Sequence, residues 1–291
     1  MKFSPPLTLV CLIPSLAFAQ STISPSASHA WTSNSGWTNF RPSSGDGVVV
    51  SDFFLSGYAW DANTGWIYFG DGTPANNHTY GNNAASDHGV NHDGGGELSG
   101  YAYSANAGWI NFGWASSADA NRPRIDLTTG ALNGYAWSPN LGWMRLGSGF
   151  LKNSSIALID TDGDGISDNW ERLHFDNLST ATATSDFDGD GQSDLNEFIA
   201  LTLPKVPDSR LEVITASYSR GYLSVKMIFT SHPGRLYRVH FSDDLQNPAA
   251  WTESSLGLFA PDSGSTTNRT VSFPTNSQKF FRVTAVRPLS N

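Results

Sequence analysis

Two twelve-residue segments near the middle of the chain concentrate acid to a degree that few folds could tolerate. Asp160-Thr-Asp-Gly-Asp-Gly-Ile-Ser-Asp-Asn-Trp-Glu171 is matched without a gap by Asp186-Phe-Asp-Gly-Asp-Gly-Gln-Ser-Asp-Leu-Asn-Glu197. Each copy sets Asp at positions 1, 3, 5 and 9, Gly at 4 and 6, and Glu at 12. Carboxylates packed this closely repel one another and favour water or a cation. Acids that alternate along a flexible loop can wrap their oxygens around one point, which suits a hard dication, and a closing Glu can offer both of its oxygens. The glycines allow the positive φ that such bends demand. A solvated acidic linker would account for the charge but not for the duplicated glycines.

The spacing departs from an EF-hand at position 8, where Ser167 and Ser193 replace the usual aliphatic residue, with Ile166 and Gln192 at position 7. It resembles the calcium repeats of thrombospondin type 3 and the D-x-D-G-D-G pairs of secreted bacterial proteins, over roughly residues 158–204. The resemblance implies two calcium ions. It implies ligands at Asp160, Asp162, Asp164, Asp168 and Glu171, and at Asp186, Asp188, Asp190, Asp194 and Glu197, with the carbonyls of Ile166 and Gln192 completing each shell. Asp168 and Asp194 also open D-x-x-E capping boxes, so each loop is expected to run into a short helix. Leu195, Phe198, Ile199 and Thr202 fall on one face of the second helix, and Trp170 and Leu173 on one face of the first. The two faces are expected to pack together, a core too small to be stable without its metal.

Before the acidic loops, one unit recurs. Leu55-Ser-Gly-Tyr-Ala-Trp-Asp-Ala-Asn-Thr-Gly-Trp-Ile-Tyr-Phe-Gly70 returns from Leu98 to Gly113 and from Leu132 to Gly147, and a degenerate copy runs from His29 to Phe40. Residues alternate at strand period on both sides of a turn ending in Gly, as in a hairpin. Further strands are expected at Val48–Ser51 and Arg124–Leu127, giving a three-stranded meander per unit. A propeller, a trefoil-like barrel and a sandwich all fit. Two readings of the Trp and Tyr side chains stand: layers of an aromatic core, or exposed platforms that stack on sugars. The unit resembles repeats of bacterial surface proteins. An insert between the second and third units carries His78, His88 and His92 with Asp87 and Asp93; its glycines argue against the helix on which H-x-x-x-H binds zinc, leaving a polar surface loop as the expectation.

After a proline-marked linker, Pro204–Pro207, short alternating strands are expected at Leu211–Ser217, Tyr222–Phe229, Leu236–Phe241, Ala250–Ser254, Arg269–Phe273 and Phe280–Val286, which fits a β-sandwich. Gly-Arg-Leu-Tyr-Arg-Val-His-Phe-Ser from Gly234 and Lys-Phe-Phe-Arg-Val from Lys279 resemble fibronectin-type-III-like modules of secreted bacterial proteins, which implies a spacer or attachment role.

The whole therefore divides as a secretory signal (residues 1–19), an aromatic β-repeat domain (20–152), paired calcium loops with short helices (153–204) and a C-terminal sandwich (205–291), a mainly β chain. Lys2, the apolar run Leu7 to Phe18 and Ala17-Phe-Ala19 carry the signal reading. The only cysteine, Cys11, lies inside it. With 17 basic and 26 acidic residues the net charge is −9, which argues against nucleic acid and anionic membranes. No G-x-S-x-G elbow, P-loop or dinucleotide fingerprint occurs, and Glu97, Asp119 and Asp126 lack a recognisable catalytic setting. The expectation is a secreted or surface calcium-binding structural or adhesion protein that is not an enzyme. The alternative is a carbohydrate-binding module, with a glycan or cell-surface partner.

Overall fold

A computed structural model describes residues 20–43, 46–219, 223–273 and 279–290; the signal expected at residues 1–19 lies outside them. The chain is mainly β. Four hairpins come first: β1 (Ile23–Thr32) with β2 (Gly36–Asn39), and, after β3 (Val48–Val50), β4 (Leu55–Asp61) with β5 (Gly65–Gly70). After β6 (Val90–His92), β7 (Leu98–Ser104) pairs with β8 (Gly108–Asn111). After β9 (Arg124–Ile125) and β10 (Leu132–Asn133), β11 (Tyr135–Ser138) pairs with β12 (Gly142–Arg145). The strand order β1-β2-β4-β5-β7-β8-β11-β12 closes when Trp31 and Thr32 pair with Arg145 and Met144, giving an antiparallel eight-stranded barrel. Four hairpins in chain order close into one barrel, which is not the propeller, trefoil-like barrel or sandwich expected from the repeats.

The barrel inverts one expectation. The Trp and Tyr side chains are not its core. The interior holds the residue between the aromatics: Ala30, Ala59, Ala102 and Ala136 are fully buried, as are Ile67, Ile110 and Met144, with Phe40, Phe69, Phe112 and Leu146 one layer below. An eight-stranded barrel has an interior only just wide enough for side chains to fill, so small Ala faces inward and the bulky rings face outward. Trp31, Trp37, Trp60, Trp66, Tyr103, Trp109, Trp137 and Trp143 stay 37% to 54% exposed. They form four cross-strand pairs, one per hairpin, with ring centroids near 5 Å in the Trp31–Trp37 (5.2 Å), Trp60–Trp66 (4.8 Å) and Tyr103–Trp109 (4.8 Å) pairs.

Each hairpin turns the same way. Gly36, Gly65, Gly108 and Gly142 all have φ between 70° and 88°, a region that costs other residues strain. The Asn two residues earlier ties its turn to a neighbour. Asn63 Nδ2 donates to Ser35 O (2.7 Å), Asn106 to Thr64 O (3.0 Å), Asn140 to Ala107 O (3.0 Å), and Asn34 to Asn140 O (3.1 Å). The four turns are thus linked head to tail around the barrel mouth. Just inside, fully buried Asp61 accepts from Ser35 Oγ (2.7 Å), Thr38 Oγ1 (2.9 Å) and the N–H groups of Asn63 (2.9 Å) and Thr64 (3.0 Å). Burial alone would raise its carboxyl, but these donors outweigh burial and hold it below its usual range.

At the opposite end, β3, β6 and β9 pair with the starts of β4, β7 and β10, and β13 (Leu151–Asn153) does the same for β1. The strand that follows the barrel thereby latches its first. Gly57, Gly100 and Gly134 occupy equivalent bends at positive φ, where a Cβ would collide with the carbonyl oxygens of Gly47, Gly89 and Arg122.

The helices expected after the acidic loops form as α1 (Asp168–Phe175) and α2 (Asp194–Ala200). Their N-caps are Ser167 and Ser193, one residue before the expected aspartates, and Ser193 accepts from Asn196 N–H. Trp170, Phe175 and Phe198 pack together with Ile166 and Ala181. Leu173 is exposed instead, and Phe175 fills the place expected of it.

The C-terminal region holds β14 (Val213–Ser219), β15 (Ser224–Thr230), β16 (Leu236–Ser242), β17 (Thr252–Glu253), β18 (Thr266–Ser272) and β19 (Phe280–Val286). They form two three-stranded sheets, β14-β15-β18 and β17-β16-β19, which share a core of Val225, Met227, Val239, Val271 and Phe273.

Two arginines fasten these parts together. Arg235, 2% exposed, donates from Nε to Ile199 O (2.6 Å), from Nη2 to Phe198 O (3.0 Å) and from Nη1 to Gly234 O (3.0 Å). It caps the negative end of α2, where a cation is favoured. Burial pushes it down only to about 10, so it stays charged at neutral pH. The Phe198 ring lies against both Arg235 (5.9 Å) and Arg287 (5.2 Å). Arg287 in turn reaches Asp52 of the barrel at 3.1 Å. Nearby, Ile159 and Leu201 pack on Phe53, Phe54 and Tyr80.

Replacing Asn140 by Ala removes one link of the turn ring and is expected to cost about 1 kcal/mol, read as a lower urea midpoint with an unchanged slope; undiminished stability would contradict the ring. Arg235→Met takes the side-chain donor from the Ile199 carbonyl and leaves the Phe198 carbonyl only the long Leu201 N–H bond (3.4 Å); it is expected to cost about 1–3 kcal/mol by the same assay, and undiminished stability would argue that the cap is ornamental.

Candidate metal centre

Each acidic loop folds around its first aspartate. Asp160 accepts the N–H groups of Gly163 (2.7 Å) and Gly165 (2.9 Å), and Asp186 accepts those of Gly189 (2.9 Å) and Gly191 (2.9 Å). Asp164 and Asp190 accept from Ile166 N–H (2.8 Å) and Gln192 N–H (2.7 Å). These short loops bring Asp160, Asp162 and Asp164 together, and likewise Asp186, Asp188 and Asp190. In each triplet one oxygen per residue lies within 4.8 Å of the others, so either group could hold a metal ion.

The rest of the expected set divides. Glu171 and Glu197 are fully buried behind the triplets. Both oxygens of Glu171 lack a hydrogen-bond partner, as does Oε2 of Glu197, whose Oε1 accepts from Thr202 Oγ1 at 3.3 Å. Asp164 Oδ2, Asp188 Oδ2 and Asp190 Oδ2 are orphaned too. A buried carboxylate oxygen without a donor is costly, and here such oxygens gather at both loops. This is the donor chemistry of a hard cation that takes oxygen ligands. Burial first, then the charges of the neighbouring aspartates, push Glu171 and Glu197 up to about 7. Burial and the same neighbours also raise Asp164.

Asp168 and Asp194 do different work. Asp168 accepts from Thr161 N–H (2.7 Å) and Thr161 Oγ1 (2.6 Å), and Arg172 pairs with it at 3.0 Å. Asp194 accepts from Ser185 Oγ (2.6 Å) and Phe187 N–H (3.2 Å). Their oxygens bind the start of each loop to its helix and lie outside the triplets. Ile166 is fully buried, and Gln192 uses Nε2 to hold Leu211 O at 2.9 Å. That contact fixes the second loop to the chain entering the C-terminal sheets.

The histidine-bearing insert lies largely on the surface, as a polar loop would, but its histidines are packed. His78 stacks on Phe53 at 4.1 Å, and His88 lies 4.9 Å from Trp109 and 5.2 Å from Tyr68. His92 is buried, with Nδ1 3.0 Å from Asp52 O. Sequence reasoning did not single out Arg235 or Arg287, which grip the helix of the second loop. Their only local signal is one basic residue in His-Pro-Gly-Arg and one near the chain end, and neither spacing points to a partner so far away in sequence.

No model of a known protein family, no curated protein and no solved structure matches this chain.

A pH dependence follows for the metal-free protein. The ordinary glutamate value is 4.5 and both folded glutamates sit at about 7. A group raised in this way contributes its stabilisation in full below the unfolded value and loses it as pH rises through the folded one. In chelator, the melting temperature of Glu171→Gln with Glu197→Gln is therefore expected to climb relative to the parent between about pH 5 and pH 8. A difference that does not change over that interval would contradict the buried charge.

Proposed function

We propose that the chain is a secreted calcium-binding structural protein whose two loops bind calcium and fix the joint between the β-barrel and the C-terminal sheets. The observation that carries this is the pair of fully buried glutamates whose oxygens lack donors, each set behind three converging aspartates. Calcium takes six to eight oxygens in flexible geometry, which suits loops of carboxylates and carbonyls better than magnesium's strict octahedron. The ligands proposed are Asp160, Asp162, Asp164, the Ile166 carbonyl and Glu171, and Asp186, Asp188, Asp190, the Gln192 carbonyl and Glu197. Asp168 and Asp194 hold the loops instead.

Support for a joint comes from what α2 touches. A cation on Glu197 would order the helix whose carbonyls Arg235 holds and whose Phe198 ring meets Arg287, the partner of Asp52. The C-terminal sheets are proposed as a fibronectin-type-III-like spacer or attachment module. A second reading is favoured by the outward Trp and Tyr pairs of the barrel, whose exposed rings could stack on the apolar faces of sugars as in a carbohydrate-binding module.

Calorimetric titration of the chelator-stripped protein is expected to show two calcium sites. Asp160→Ala or Asp186→Ala is expected to remove one site each, and the double variant both. At a hundredfold excess over Kd the ion stabilises by about 2.7 kcal/mol per site. Unchanged heats in the double variant would contradict the proposal.

A further inference from the structure

On the outer face of the fourth hairpin the barrel opens into a polar cleft of about 400 Å³, lined by Ala120, Asn121, Arg124, Asn133, Gly134, Tyr135, Arg145 and Gly147. Its position follows from the register. Asn133 pairs with Arg124 across β9–β10, Tyr135 pairs with Arg145 across β11–β12, and Trp137 pairs with Trp143 two residues further along. Side chains two residues apart on a strand share a face, so Tyr135 and Arg145 stand on the same outer face as Trp137 and Trp143. The Tyr135 and Trp143 rings meet at 6.2 Å, and Trp114 packs on Trp143 at 4.8 Å.

The fourth hairpin alone carries a cation at this place. Where Tyr135 pairs with Arg145, the first three hairpins pair His29 with Asn39, Tyr58 with Tyr68 and Tyr101 with Asn111. Among the described residues no hydrogen bond or ion pair engages the Arg145 side chain, and Arg124 uses Nη2 on the Ala120 carbonyl at 2.7 Å. No acid lines the cleft. Of the acids near it in sequence, Asp119 accepts Asn121 N–H (2.8 Å) and Asp126 accepts Thr128 N–H (2.9 Å) and Thr129 N–H (2.8 Å), while Glu97 stands opposite Arg124 in an antiparallel bridge and pairs with Arg122 at 2.8 Å. A protein with a net charge of −9 thus keeps the Arg145 guanidinium without a partner in a cleft that Arg124 also lines, beside amide groups and an aromatic wall.

We propose that this cleft binds an anionic saccharide, with Arg124 and Arg145 taking its carboxylate or sulfate, Asn121 and Asn133 its hydroxyls, and Tyr135 with Trp143 the apolar face of the neighbouring ring. Guanidinium groups pair with planar oxyanions through parallel hydrogen bonds, and amides beside flat rings suit the alternating polar and apolar surfaces of a sugar. The proposal rests on the second reading of the aromatic pairs. It makes one hairpin the anchor and the other three neutral extensions of it.

The test is calorimetry of the calcium-loaded protein against an oligoglucuronate, a sulfated dextran oligosaccharide, a neutral dextran oligosaccharide and an oligoglutamate. At least one anionic sugar is expected to bind about tenfold or more tighter than the neutral one. That advantage is expected to shrink as salt rises, to vanish in Arg145→Glu at unchanged melting temperature, and to weaken in Arg124→Gln. Trp60→Ala, on the hairpin across the barrel, is expected to leave the preference for charge intact. Oligoglutamate binding as well as the sugars would overturn the proposal in favour of an acidic peptide, and an unaltered preference in both Arg variants would also overturn it. If the neutral sugar binds equally and is lost in Trp60→Ala, the aromatic reading survives without this cleft. If no sugar binds, both fall, while the calcium titration is unaffected.

Discussion

Carboxylate oxygens held within 4.8 Å of one another, backed by a glutamate cut off from water, repel one another, several with no donor to balance them. Everything between the two β regions is arranged around that repulsion twice. Each loop spends its first aspartate on glycine N–H groups and its ninth residue on a threonine or serine near the loop start, which leaves Asp164 Oδ2, Asp188 Oδ2, Asp190 Oδ2, both Glu171 oxygens and Glu197 Oε2 without donors. The local hydrogen bonds explain the shape of the loop. They do not offset the repulsion it creates, and a bound cation would.

The barrel reaches stability by a different route. Its hairpins are too short to be stable one at a time, and closure removes the sheet edges that would otherwise invite aggregation. The asparagine ring at one mouth and the latch of β13 on β1 at the other hold the first and last hairpins to each other. Both devices join residues more than a hundred positions apart, as the Asn34–Asn140 contact shows. The interior is mostly Ala, Ile and Phe, and the Trp and Tyr rings are displaced to the outside.

Much of this was legible. The spacing of the aspartates and glycines located both triplets, and the period-two alternation located the hairpins and the C-terminal strands, with β19 starting and ending where expected. The face on which the rings lie was not. Alternation says that Tyr58 and Trp60 share a face opposite Ala59, but only the width of a closed barrel decides that Ala59 is the one inside. Ala recurs at this position in every copy, and that was the available hint. The position-9 acids carry a spacing that a ligand would also carry. Their engagement with Thr161 and Ser185 depends on loop closure, which no linear pattern encodes. Arg235 and Arg287 were invisible for a similar reason, since their partners on α2 and at Asp52 lie far away along the chain.

In the proposed joint, charge, helix and interface act in series: cation, glutamate, α2, arginine, barrel. Small-angle scattering of the same sample with calcium and then with excess chelator tests that series most directly. The account predicts that removing the ion lengthens the maximum dimension and broadens the distance distribution, as the barrel and the C-terminal sheets lose their fixed relation. Superimposable curves in the two conditions would contradict it.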